Sequence, residues 1–230
     1  MSVVAIVQSN YVPWKGYFDL IAAVDEFVLL DDVQYTRRDW RNRNSIKTPD
    51  GLRWLTVPVA TKGQYSAAIR DIRIDGTDWI GKHLRALEIN YAAAPHADAV
   101  LDWLAPILRA GDGHLSTLNR ALIERICGEL AIPTRITSSA DFQLVDGPTE
   151  RLLAICQQAG ARRYISGPAA RGYLDESRFA EADIAVEWFR YDGYPEYPQL
   201  WGGFAHAVTI VDLLMNCGPD ARAYMKCGRA

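Results

Sequence analysis

Short apolar runs and turn-forming residues alternate from the start of this chain. Positions 3–7 (VVAIV) are rich in β-branched residues and show no polar alternation, so they read as a strand buried on both faces. Positions 9–16 break the run with Asn, Pro and Gly, and 17–24 then take helical spacing, with Phe18, Ile21 and Ala22 on one side. A second apolar run follows at 27–30. Strand, loop, helix and strand within about thirty residues define a βαβ unit, whose two strands run parallel with a right-handed crossover.

The middle of the chain has another rhythm. Positions 44–48 and 52–59 flank Pro49-Asp50-Gly51, a strong turn tripeptide, and read as a β-hairpin to which 71–74 adds a strand. Helical patterns follow at 78–91, capped by Thr77 or Asp78, at 97–109, where Pro106 should bend or interrupt the helix, and at 115–130. Strand patterns return at 134–137, 163–166 and 185–191. Helices are expected at 149–158, stopped by Gly160, at 169–174, and at 207–216, stopped by Gly218. Strands and helices alternate at both ends of the chain, so the expected fold is α/β with a mostly parallel, Rossmann-like sheet. Residues 1–230 read as a single domain, with 44–135 as an inserted hairpin and helical lobe.

Composition narrows the function classes. A chain of 230 residues with 49% hydrophobic content buries a core without disulfides or structural metal. The net charge of −3 excludes a general electrostatic nucleic-acid binder. No apolar run reaches the roughly 18 residues that span a bilayer, and the opening MSVVAIVQSNY lacks a basic leader, so a cytoplasmic protein is expected. Cys127, Cys156, Cys217 and Cys227 form no C-x-x-C pair and read as reduced and mostly buried. His83, His96, His114 and His206 lack metal-ligand spacing, so no metal is called, and no cofactor is identified.

In open α/β sheets, ligands bind outside the carboxyl ends of the strands, and three loops of this chain fall there. The first, from Gln8 to Tyr17, contains Tyr11, Trp14 and Gly16; free N–H groups at the helix start by Gly16 favour an anion, although a tight turn with both aromatics packed as core fits equally well. The second is Asp31-Asp32, where neighbouring side chains point to opposite faces, so one of them should reach the crevice. Arg37, Arg38, Arg41, Arg43 and Lys47 follow at once. Such a cluster suits phosphate, with two of its cations, Arg41 and Arg43, as ligands and the rest as solvated surface. The third loop is Ser166-Gly167-Pro168, again a strand end opening into a helix. Lys62, Lys82 and His83 offer a cation or a general base. The 194–199 segment (YPEYPQ) reads as a rigid aromatic loop that lines a pocket or packs as a lid, and Asp212, midway along an apolar helix, requires a buried partner or a polar face.

The combination Tyr11-Val12-Pro13-Trp14-Lys15-Gly16-Tyr17-Phe18, Asp31-Asp32-Val33-Gln34-Tyr35, Trp40-Arg41-Asn42-Arg43-Asn44, Leu55-Thr56-Val57-Pro58-Val59, Tyr164-Ile165-Ser166-Gly167 and Tyr197-Pro198-Gln199 resembles the WbqC-like protein family along essentially the whole chain. The start departs from the family pattern, because Val7-Gln8-Ser9-Asn10 lacks the histidine and proline that members often carry before the aromatic-proline loop. The resemblance implies a transferase of bacterial surface-polysaccharide (O-antigen-type) biosynthesis, with acyl or aminoacyl transfer to an amino sugar or sugar nucleotide as the preferred chemistry. A distant similarity to nucleotidylyltransferases keeps nucleotidyl transfer as an alternative, and a non-catalytic sugar-nucleotide binding or scaffold protein as another.

On these readings the expected partner is an anionic, nucleotide-linked small molecule, with a homodimer or a biosynthetic partner also open. The expected catalytic residues are Asp32 or His83 as base and Asn44 as oxyanion donor. Gln8, Tyr11, Trp14, Gly16, Tyr17, Arg41, Arg43, Lys62, Lys82, Ser166, Gly167 and Gln199 are the expected substrate contacts.

Overall fold

The first βαβ unit folds as its pattern dictates. In a computed structural model, which describes residues 2–64 and 66–228, β1 (Ser2–Val7) lies parallel to β2 (Glu26–Leu29) across α1 (Lys15–Ala22), with Val7 opposite Leu29. Three further strands join them: β7 (Arg135–Ser138), β8 (Ala161–Ser166) and β9 (Ala185–Trp188). The order is β7-β2-β1-β8-β9 and every pairing is parallel. The chain therefore builds outward on one side of β1 and then returns to build on the other, which puts the topological switch between β1 and β8.

Strand alternation sorts the core into two layers. Ala5, Phe27 and Leu29 face a cluster with Phe18 and Leu20 of α1 and Leu214 of α7 (Ile210–Cys217). Val4, Ile6, Val28 and Leu30 face the opposite cluster, built by Leu152 and Ile155 of α5 (Pro148–Gln158) and Phe179 of α6 (Glu176–Glu181). Helices thus cover both faces of the sheet, as a parallel sheet with crossover helices requires.

The segment between β2 and β7 carries the hairpin of β3 (Arg43–Thr48) and β4 (Gly51–Thr56), then α2 (Asp78–Tyr91), α3 (Ala97–Ala110) and α4 (Leu115–Glu129). Ile46, Leu55, Leu87, Leu104 and Leu122 of this segment join the cluster that contains α1 and α7, so its apolar faces are buried against the sheet's own helices.

Some local expectations differ from the structure. The strand expected at 71–74 is β6 (Arg73–Ile74), and it pairs with β5 (Val59–Ala60) in a separate ribbon instead of extending the hairpin. Pro106 lies inside an uninterrupted α3 on its exposed side, where water can satisfy the carbonyl that loses its partner. Residues 168–172 form a 3₁₀ turn, β9 ends at Trp188, and the last α-helix starts three residues later than its pattern suggests, at Ile210. The short helix α6 had no legible periodicity of its own.

Candidate functional site

The loop leaving β1 is clamped from two sides. Asn44 of β3, 3% exposed, donates from Nδ2 to the carbonyls of Tyr11 (3.3 Å) and Val12 (2.9 Å), while its Oδ1 accepts from the Ser45 amide. Thr209, the N-cap of α7, donates its hydroxyl to the same Val12 carbonyl at 2.7 Å, and the Ile210 amide donates to Pro13. These bonds hold Val12 at φ 36°, a left-handed conformation that a β-branched residue rarely takes. Strain of this kind costs of order 1–3 kcal/mol and persists only where surroundings over-determine it.

The clamp shapes a cavity of about 220 Å³ lined by Asn10, Pro13, Trp14, Trp40, Asn44, His206 and Ala207. Trp14 forms one wall, packed against Tyr191 and Tyr194 with ring centroids 5.5 and 5.4 Å away. Its indole also lies over Gly16: a methyl group at that position would sit 2.4 Å from a ring carbon, so only glycine admits the tryptophan. Arg41, 13% exposed at its side chain, donates to Asn10 Oδ1 and lies 3.6 Å from Asp39. Because Oδ1 of Asn10 is the acceptor for Arg41, its Nδ2 remains as a donor. His206 is exposed at the cavity, edge-on to Phe204 at 4.6 Å.

Adjacent carboxyls at the end of β2 part as strand geometry requires. Asp31 turns to the α4 side, where its Oδ1 accepts the Ser9 amide at 2.9 Å. Asp32 turns to the α5 side, 3.5 Å from Arg151 Nε, beside a second cleft lined by Gln8, Arg151 and Tyr173. The structure brings Asn44 and Trp14 to the cavity and Arg41 behind it, but not Asp32 or His83.

His83, 5% exposed, has both ring nitrogens engaged: Tyr11 Oη lies 3.0 Å from Nδ1, and Nε2 lies 3.1 Å from the Thr56 carbonyl. Nε2 therefore carries the proton and Nδ1 accepts from the phenol. Burial pushes the imidazole down from 6.5 to about 4, against a smaller upward pull from the Thr56 carbonyl. Between pH 6.5 and 4 the unfolded chain binds a proton that the native protein refuses, so stability falls as the pH drops through that window. Denaturant melts should lose on the order of 3 kcal/mol between these limits from this group. A His83→Gln variant should lose that much less over the same range; an identical pH slope in the two proteins would refute the assignment.

Other expected contacts occupy separate places. Tyr17 donates to the Gln8 carbonyl at 3.0 Å. Arg43 stacks on Trp54 at 4.3 Å and donates to the Arg38 carbonyl. Lys62 lines a shallow cleft with Arg37 and Asp75, and Lys82 is exposed on α2. Ser166 is buried and accepts from Tyr164 Oη at 3.3 Å, while Gly167 lies near the Tyr191 hydroxyl. Gln199 uses both ends of its amide inside the fold, on Lys47, Ala205 and Asp212.

Two arrangements escaped the sequence reading. Lys15 is 4% exposed, donates to the Pro195 carbonyl at 2.9 Å and has its ammonium about 5 Å from the rings of Tyr194 and Tyr197. Its place among aromatics 180 residues away left no local signal. His206 was equally silent, since nothing in its flanking residues marks it as facing Asn10 and Trp14.

A parallel sheet covered on both faces, with a ligand-sized cavity beside the carboxyl edge of its first strand, defines a Rossmann-like α/β protein. The chain belongs to the WbqC-like protein family, whose model matches residues 8–224. It is 59% identical over 227 residues, 98% of each chain, to the uncharacterized protein Rv1507c of Mycobacterium tuberculosis. No solved structure matches it. Among the described residues, no helix is long and apolar enough to cross a membrane.

Proposed function

We propose that this protein is a transferase of surface-polysaccharide biosynthesis that moves an acyl or aminoacyl group onto the amine of an amino sugar. The observation that supports this reading is the cavity between Trp14 and Trp40, with Asn10 as a hydrogen-bond donor and exposed His206 as its titratable group. Apolar walls with a few fixed polar groups are the usual build of a small-molecule site. A volume of about 220 Å³ accommodates one sugar ring, leaving any nucleotide attached to it outside.

In this reading the indoles of Trp14 and Trp40 bind the apolar face of the sugar and orient its amine. His206 takes a proton from that amine as its nitrogen attacks the acyl carbonyl carbon. The new C–N bond forms, the bond to the donor's leaving group breaks, and the proton passes from His206 to the leaving group. Asn10 Nδ2, aimed by the Arg41–Oδ1 bond, donates to the oxyanion that develops meanwhile. Asn44 cannot take that part while its Nδ2 is spent on the carbonyls of Tyr11 and Val12.

Thermal unfolding against amino sugars, their nucleoside diphosphate derivatives, acyl-coenzyme A and nucleoside triphosphates with magnesium tests the reading. A ligand at about 100 times its dissociation constant stabilises the native state by about 2.7 kcal/mol. An amino sugar or its nucleotide derivative should raise the midpoint of the wild type and leave Trp14→Ala unmoved. A shift with triphosphate and magnesium alone would replace acyl transfer by nucleotidyl transfer, and indifference to every sugar would sink the proposal.

A further inference from the structure

The cleft beside Asp32, of about 310 Å³, opens at the carboxyl edge of β1 and β2 on the side of the sheet that α5 covers. Strand register builds it. Val7 pairs with Leu29, and the Leu30 amide donates to the Val7 carbonyl at 3.0 Å, so Gln8 and Leu30 leave the sheet side by side. Alternation puts Gln8 on the face of Val4 and Ile6, and Asp32 on the face of Val28 and Leu30. Gln8 and Leu30 line the cleft, and Asp32 is aimed the same way; its ion-pair partner Arg151, on α5, lines the cleft too. Thr149, also on α5, donates its hydroxyl to the Tyr173 carbonyl at 3.2 Å, which ties that tyrosine to the start of the helix as a further wall.

The sign of a ligand is Asp32 itself. Its side chain is 5% exposed, yet Oδ1 has no hydrogen-bond partner among the described residues, and Oδ2 meets Arg151 Nε at 3.5 Å. A carboxylate accepts at both oxygens, and a buried acceptor left empty is costly unless something else fills that role. The missing partner is therefore a donor.

Arg151 supplies the complementary group. Its Nε is spent on the Val145 carbonyl at 3.2 Å and on Asp32, while its two Nη nitrogens donate to nothing among the described residues. An empty acceptor beside free donors suits a pair of neighbouring hydroxyls, each of which both donates and accepts. It does not suit a phosphate. The Glu150 carboxyl lies over Gly147 at the start of α5, with Oε2 2.5 Å from where a Cβ would sit, so the helix end that would take an anion already holds one of the chain's own acids. The remaining walls are apolar: Leu30, Val33, Pro148 and the ring of Tyr173, a surface for a flat, weakly polar group.

We propose that this cleft binds a nucleoside, with two hydroxyls of its ribose between Asp32 Oδ1 and the Nη groups of Arg151 and its base against Tyr173. A hydroxyl reaches Oδ1 as the Arg151 guanidinium, which meets the carboxylate through Nε alone, turns aside. The site does not rest on the reading given to the Trp14 cavity, with which it shares no residue.

Isothermal titration of the full chain with uridine and adenosine, and with their 2′,3′-dideoxy counterparts, tests this. Saturable binding of a ribonucleoside is expected. It should weaken about tenfold or more when the two hydroxyls are missing, and equally in Asp32→Ala, since hydrogen bonds to a carboxylate are among the stronger ones. Tyr173→Ala should weaken the ribonucleoside as well; its ring is 54% exposed, so that variant and the dideoxy compounds probe the contacts without disturbing the buried carboxylate. Absence of saturable binding by either ribonucleoside overturns the proposal, and so does a dideoxynucleoside that binds as tightly as its parent. Binding that is lost in Trp14→Ala and kept in Asp32→Ala would belong to the other cavity and would overturn it too. Stabilisation by amino sugars that depends on Trp14 stands or falls separately from all of these results.

Discussion

Replacing His206 by glutamine is expected to lower the turnover number for acyl transfer by about 10²–10⁴ while leaving the melting midpoint within about a degree of wild type. The separation of the two effects follows from where the residue sits. His206 is exposed, touches Phe204 edge-on, and gives its backbone carbonyl rather than its side chain to the fold, by accepting from the Val208 amide. Glutamine keeps the reach and the hydrogen-bonding capacity of the side chain but cannot accept and return a proton near neutral pH. The Michaelis constant should therefore change little and the loss should fall on the turnover number, as expected of a group that acts in the transition state. Steady-state kinetics on the substrate found in the ligand screen would measure this. Should Asp32→Asn abolish turnover while His206→Gln does not, the base would lie with Arg151 on the opposite face of the sheet, and the cavity at Trp14 would lose its catalytic reading.

The second large effect is on stability. Asp212→Ala should cost about 3–5 kcal/mol, read as a drop in the urea midpoint at unchanged slope. Asp212 is fully buried on α7 and receives three donors from distant parts of the chain: Tyr91 Oη at 2.5 Å, Tyr197 Oη at 2.6 Å and Gln199 Nε2 at 2.8 Å. Truncation leaves two phenols and an amide without acceptors in a dry interior, each costing about 1–3 kcal/mol if unrelieved. The carboxyl pulls both phenols further above their ordinary range than burial alone does. The network also explains Gln199 and Lys47, whose side chains meet at 2.8 Å as its outer layer. Asp212→Asn keeps the shape but offers one phenol an N–H in place of an acceptor, so its cost should be intermediate. A loss below about 1 kcal/mol in Asp212→Ala would mean that water replaces the carboxyl, and the network would then not be the tie between α2, α7 and the 194–199 loop.

Tyr11, His83 and Thr56 make a closed hydrogen-bonded chain under the loop, and Asn44 with Thr209 holds the strained Val12 above it. Both are polar, buried and internally satisfied, so they fix the backbone of the loop that lines the cavity. With both ring nitrogens engaged, His83 ties Tyr11 of the loop to the Thr56 carbonyl of β4.

The sequence by itself determined the elements that depend on local pattern. Unbroken apolar runs at 3–7 and 27–30, separated by a helical stretch, admit only a parallel βαβ unit, and Pro49-Asp50-Gly51 between two strand patterns admits only a hairpin. The same alternation foretold that Asp31 and Asp32 would part, and it identified the carboxyl edge of the sheet as the place to look for a ligand. It could also state that Asp212 required a buried partner, because a carboxyl in an apolar helix has no other way to remain inside. Tertiary structure alone decided which partners and which pocket. Tyr91 and Tyr197 reach Asp212 from 121 and 15 residues away, and His206 lines one cavity with Asn10 and Trp14 from nearly the other end of the chain. Such contacts arise from the packing of whole elements, α7 against the β1 loop and the hairpin against α2, and no short-range periodicity records them.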